Sequence, residues 1–98
     1  MSDPGDAADA GPTAARTVTV ANPEGLHLRP LTEIAKLAAS FPCAVRLRKG
    51  DRTADAKAMI QAMTLAAGAG DEIVVEAEGE RAAEAADAVA EVVAAPEG

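Results

Sequence analysis

Phe41 is the only aromatic residue in this 98-residue chain, which has no Trp and no Tyr. That scarcity constrains the fold more than any other feature. Val, Leu, Ile, Met and many Ala must fill the core, so the elements have to pack closely to reach ordinary interior density. Met1 to Arg16 is built mainly from Ala, Asp, Gly, Pro, Ser and Thr and shows no apolar periodicity. This predicts a disordered tail over residues 1–16 and one folded domain over residues 17–95. A domain of that length buries a single core and leaves little room for a deep, enclosed active site.

Apolar spacing gives the order of elements. Thr17-Val18-Thr19-Val20-Ala21 alternates with period two and is β-branched, the pattern of a first strand. Asn22-Pro23-Glu24-Gly25 breaks it. Leu31, Ile34, Ala35 and Ala38 then recur at helical spacing within Leu28 to Ala39. A second strand is expected over Ala44 to Arg48, with Val45 and Leu47 inward and Arg46 and Arg48 outward. A tight turn at Lys49-Gly50-Asp51 leads to a weaker third strand over Arg52 to Ala56. Ala58 to Thr64 reads as a short helix and Asp71 to Glu78 as a fourth strand, with Ile73, Val75 and Ala77 on one face. Arg81 to Ala94 is the last helix, with Ala82, Ala85, Val89 and Val92 inward. The order β-α-β-β-α-β-α, with alternating strands, predicts an α+β fold: a mostly antiparallel sheet covered on one side by helices.

The formal net charge of −7 is unevenly distributed. Between Gly25 and Lys57 seven cations (Arg29, Lys36, Arg46, Arg48, Lys49, Arg52, Lys57) face three acids, whereas from Asp71 onward nine acids face Arg81 alone. A locally basic segment suits a phosphate or an acidic protein surface. Overall acidity and missing aromatics argue against nucleic acid. No secretory signal or membrane-length apolar run is visible, and a lone Cys43 forms no internal disulfide, so the expected compartment is the cytoplasm. Cys43 is expected to be a small buried hydrophobe. With a single histidine, neither a metal centre nor a hydrolytic triad assembles readily, and no cofactor is implied. No heptad seam is evident, so a monomer is expected.

That histidine, His27, falls within Gly25-Leu26-His27-Leu28-Arg29-Pro30, at the junction of strand and helix patterns. A helix start offers unpaired N–H groups and partial positive charge, a setting that suits a phosphate. Arg29 adds a cation two residues on. Pro30 is tolerated in the first turn because its missing N–H has no intrahelical partner there. The set reads as a phosphate-accepting histidine, since phosphoryl transfer needs a ring nitrogen, charge stabilisation and access. Met59, Ile60 and Met63 form an apolar group on the short helix, while Leu28, Thr32 and Lys36 line up at i, i+4 and i+8 on the first helix. Together they suggest one protein-docking surface around His27, with Met adapting to more than one partner.

Gly25-Leu26-His27-Leu28-Arg29-Pro30, the spacing to Asp55-Ala56-Lys57 and the element order resemble the HPr family, the histidine-containing phosphocarriers of the phosphoenolpyruvate-dependent sugar phosphotransferase system. The resemblance covers Thr17 to about Ala94. It implies an open-faced sandwich of four antiparallel strands and three helices. It also implies that His27 accepts phosphate on Nδ1 from phosphorylated enzyme I and passes it to an enzyme IIA domain, so the chain is a stoichiometric carrier and not an enzyme. By the same resemblance Arg29 steadies the phosphate, and Leu28, Thr32, Lys36, Met59, Ile60 and Met63 dock both partners. Two positions depart from the family pattern. Ala58 stands where many members carry a regulatory serine, and Leu28 is bulky where the family is usually small or has threonine. A carrier of the nitrogen-related phosphotransfer branch, not coupled to sugar uptake, is the alternative.

Overall fold

The computed structural model describes residues 12–96. In chain order the elements are β1 (Thr13–Thr19), α1 (Leu28–Ala39), β2 (Cys43–Lys49), β3 (Arg52–Asp55), α2 (Met59–Met63), β4 (Glu72–Gly79) and α3 (Ala82–Ala94). The strands form one antiparallel sheet in the order β1-β4-β2-β3. Helix α3 lies across β1, β4 and β2, α1 packs beside α3, and α2 sits against α1 and β3. The α+β expectation therefore holds, with the other face of the sheet left open.

Strand β1 begins four residues before the expected start, inside what composition assigned to the tail. Thr13 to Arg16 pair with Glu78 to Val75 on β4, and the Gly79 N–H donates to Pro12 O at 2.7 Å. Strand β4 is eight residues long and needs a partner along its whole length, and Ala14-Ala15-Arg16 supplies it without any strong apolar signal of its own. Arg16 Nε also reaches Asp87 Oδ1 on α3 at 2.6 Å. The rest of the expected tail, residues 1–11, lies outside the described residues.

The core is aliphatic. Leu31, Ile34, Val45, Leu47, Leu65, Ile73, Val75, Val89 and Val93 are almost fully shielded. Four alanines (Ala82, Ala85, Ala86, Ala90) line the buried face of α3 and let its backbone approach the sheet. Val93, not Val92, completes that stripe, and Val92 is only partly buried, as is Ala35 on α1. Val45 and Leu47 point inward as expected, and Cys43 is buried. Phe41 sits at the rim, with the Arg81 guanidinium 4.9 Å above its ring.

The sheet order brings the basic and acidic segments together. On the open face Arg46 lies 3.4 Å from Glu76 and 3.6 Å from Glu78, and Arg48 lies 3.5 Å from Glu76. Glu76 and Glu78 thus form a cross-strand ion-pair ladder with Arg46 and Arg48. Lys49 is engaged differently. Its Nζ donates to Leu65 O (3.2 Å) and Ala66 O (3.0 Å) and contacts Asp71 Oδ2 (3.1 Å). The same Asp71 oxygen accepts from the Gly68 N–H at 2.8 Å. This clamp fixes the 65–71 loop, in which Ala66 adopts a left-handed φ of 51° that a non-glycine residue tolerates only under such restraint.

The Gly68 N–H, and after it Lys49, hold the Asp71 carboxyl below the usual carboxylate range. A carboxylate whose folded-state pKa is depressed stabilises the fold above its unfolded pKa, and the contribution disappears as pH falls through the depressed value. Asp71→Asn should therefore lower the urea midpoint at neutral pH, and the gap from the parent should close in acid, once the pH has fallen through the depressed value. Urea titrations at both pH values measure this; a gap that persists in acid would dissociate the clamp from the carboxylate charge.

Candidate functional site

The loop from β1 to α1 is built by Asn22 and Gly25. Asn22 is buried, its Oδ1 accepts the Glu24 N–H at 2.9 Å, and its carbonyl accepts the Gly25 N–H at 2.9 Å. This is an Asx turn, the motif for which Asn is favoured before Pro-x-Gly. Gly25 has φ +76°, and a Cβ there would stand 2.6 Å from Ala67 O, so the backbones of the two loops touch where no side chain fits. The Leu26 N–H donates to the same Ala67 carbonyl at 2.9 Å, and Leu26 is buried beside it.

His27 follows as the N-cap residue of α1, with φ −85° and ψ −168°. Its backbone carbonyl accepts the Leu31 N–H at 3.2 Å and its own N–H donates to Gly25 O at 3.0 Å. The side chain makes no capping bond, so the ring is not used to close the helix. About a third of it (34%) is exposed, and Nε2 stands 3.6 Å from Glu24 Oε1. Among the described residues the Leu28 and Arg29 amides have no backbone acceptor outside the helix, and inside it the first turn offers none. Pro30 is buried behind them at the third helical position.

His27, Leu28, Arg29, Thr32, Glu33 and Lys36 line an open cleft of about 820 Å³ that runs from the N-cap into the third turn of α1. Arg29 and Lys36 make no ion pair among the described residues, whereas Arg46, Arg48 and Lys49 are engaged with acids elsewhere. Two free amides and Arg29 thus lie next to His27 in the chain, with Lys36 further along the cleft and Glu33 as its one acid, a set of donors suited to a dianion.

The apolar group divides into two kinds of residue. Ile60 (75% exposed), Leu28 (54%) and Met63 (47%) project to solvent. Met59 instead packs partly into the core, its sulfur 3.1 Å from the Thr32 hydroxyl, which also donates to Leu28 O at 2.7 Å. Met59 therefore ties α2 to α1 and is less a free docking residue than its neighbours. Ala62 and Leu65 supply the inward face of this segment. Sequence reasoning singled out His27, Arg29, Gly25 and Pro30 but treated Asn22 and Glu24 only as chain breakers. The Asn-Pro-x-Gly order could have flagged the Asx turn, yet the approach of Glu24 to the ring appears only in three dimensions.

Gly25→Ala should cost about 1–3 kcal/mol, because the new Cβ meets a carbonyl and the φ is strained. Denaturant unfolding and the amide spectrum of Leu26 and His27 report it; an unperturbed spectrum with native stability would mean that the two loops are not held by this contact.

A family model described as the PTS HPr component phosphorylation site matches residues 14–95. The phosphocarrier protein HPr of Pseudomonas putida is 36% identical over 81% of this chain and 89% of its own length. The phosphocarrier protein NPr of Shewanella violacea is 34% identical over 80% of this chain and 86% of its own. Two much longer proteins match at 44% and 45% identity, and this chain spans only 7% and 13% of their length. Among solved structures, the phosphocarrier HPr of Bacillus anthracis superposes with a TM-score of 0.78 at 32% identity, covering 83% of this chain and 96% of that one. Among the described residues no helix is long and apolar enough to cross a membrane. With the fold, the element order and the matched segment in agreement, the chain belongs to the HPr family of phosphocarrier proteins of the phosphotransferase system.

Proposed function

We propose that His27 is the phosphoryl-accepting residue, charged on Nδ1 by phosphorylated enzyme I and discharged to an enzyme IIA domain. The observation that carries this reading is the ring itself, which sits at the N-cap of α1, makes no capping bond, and lies beside two unpaired amides and Arg29. In the transfer, the Nδ1 lone pair attacks phosphorus on the donor. The new N–P bond forms as the donor's bond to phosphorus breaks, its electron pair returning to the donor atom. Nδ1 carries no proton in the attacking tautomer, so none has to leave, and Nε2 keeps its own. The ring becomes cationic beside the bound phosphoryl dianion, whose oxygens the Leu28 and Arg29 amides and the Arg29 guanidinium can meet. Passage to the acceptor is the same step in reverse, and the protein ends unchanged, as a carrier and not a catalyst.

Such a carrier works as a monomer in the cytoplasm, where large partner proteins must reach the ring. The open cleft meets that need, because it admits a protein surface and does not enclose a small substrate. Leu28, Ile60 and Met63 supply exposed apolar area, Thr32 and Lys36 a polar edge, and Met59 holds the two helices together beneath them. Ala58 offers no hydroxyl, so serine-linked control at that position has no acceptor. Ala58 and the likeness to NPr support a second reading, a carrier of the nitrogen-related branch whose phosphorylation state is a signal. The two share all the chemistry at His27 and differ in the acceptor.

Incubation with enzyme I, Mg²⁺ and phosphoenolpyruvate should place one acid-labile phosphate on the parent chain and none on His27→Ala, as read by intact mass. Label on neither, with an authentic HPr labelled in parallel, would remove the carrier reading; chase into sugar-type or nitrogen-type enzyme IIA separates the branches. Ile60→Asp with Met63→Asp should slow transfer by about tenfold or more while leaving stability within about 0.5 kcal/mol of the parent. Met59→Asp should lower stability as well. Undiminished transfer by the Ile60/Met63 pair would place the partner surface elsewhere.

A further inference from the structure

The contact between Glu24 and His27 joins the β1–α1 loop to the N-cap of α1. Glu24 is exposed (78% of its side chain) and forms no hydrogen bond through its carboxylate among the described residues, yet Oε1 lies 3.6 Å from His27 Nε2. That separation is too long for a direct hydrogen bond and fits an ion pair or a single bridging water. The backbone that carries Glu24 is fixed on both sides. Its N–H donates to the buried Asn22, and the following Gly25 is pressed against Ala67 O. The carboxylate is therefore tethered by a rigid turn to one edge of the ring.

We infer that Glu24 is a positioning residue that holds Nε2 as the protonated nitrogen of His27 and so directs phosphate to Nδ1. This rests on the carrier reading above and adds to it the residue that selects the nitrogen. In neutral imidazole one nitrogen bears the proton and the other the lone pair, and the partner of the first decides which is which. A carboxylate beside Nε2 favours the N–H there and leaves the nucleophilic pair on Nδ1, the relation by which a carboxylate orients a histidine in other sites. The same charge opposes a phosphoryl dianion on Nε2, which would have to sit against Glu24. After transfer to Nδ1 the ring is cationic, its Nε2–H still faces Glu24, and the carboxylate serves as its counter-ion. The other charged groups of the cleft, Arg29, Glu33 and Lys36, all lie on α1, so Glu24 is the acidic group that approaches the ring from the preceding loop.

Glu24→Gln keeps the shape and removes the charge at an exposed position, so the fold is retained and an unchanged amide spectrum outside residues 22–29 verifies it. Two readouts apply. In alkaline buffer, where imidazole is neutral, ¹⁵N shifts of the His27 ring should show the Nε2–H tautomer predominating in the parent and an increased share of Nδ1–H in the variant. With enzyme I and phosphoenolpyruvate, the maximal rate of labelling should fall by about two- to fivefold, the range an exposed ion pair supplies, with the KM for enzyme I unchanged. In about 1 M salt the two proteins should converge, which a purely structural defect would not do. Equal tautomer populations and equal rates in parent and variant would overturn the inference while leaving the carrier reading intact. A parent chain that takes no phosphate, beside a labelled authentic HPr, would overturn both.

Discussion

Pairing of the first strand with the last sets the geometry on which the site depends. In the β1–β4 register Thr19 opposes Glu72, so the two strands separate at the same level and their loops leave side by side. Val20 continues the contact past the strand end, donating to Asp71 O and accepting from Gly70 N–H. The loops at residues 22–27 and 65–71 therefore run against each other, with the Ala67 carbonyl between the Gly25 Cα and the Leu26 N–H. A one-residue slip would turn Ile73, Val75 and Ala77 out of the core, so the hydrophobic pattern of β4 enforces the register that places His27.

Charge follows the same topology. The cations of β2 and the acids of β4 are remote in sequence and adjacent in the sheet, where Arg46 and Arg48 meet Glu76 and Glu78. Lys49 is drawn to Asp71 and the carbonyls of the loop that backs the site. On α1 the charged side chains without an ion pair among the described residues are Arg29, Glu33 and Lys36, all three lining the cleft that His27 opens. The site thus holds two cations, with Glu33 and Glu24 as the opposing acids, in a protein of net charge −7, and buffer salt will screen its long-range steering more than its local contacts.

The near absence of aromatics has a structural counterpart in α3, whose buried stripe is mostly alanine and lies close against three strands. Helix α2 shows the opposite arrangement. It is one turn and a half of chain, anchored by Ala62 and by Met59 against Thr32, and it leaves Ile60 and Met63 outside. A five-residue helix has little stability of its own, so this presentation is a product of packing and not of propensity.

The sequence alone determined the element order, the inward faces of β2 and β4, the bounds of α1 and the candidate status of His27 and Arg29. Each of these is written in local periodicity or in a short motif that needs no distant partner. The strand order, the true start of β1 and the stripe that ends in Val93 were settled by tertiary contacts. Ala14-Ala15-Arg16 carries no strand signal until β4 lies beside it, and a helix stripe is resolved only by the surface it meets. The same holds at the site. Gly25 and Asn22 read locally as turn formers, but the tight fit of Gly25 against Ala67, forty-two residues on, and the role of Asp71 behind it depend on two loops remote in sequence. Only the folded sheet brings them into contact.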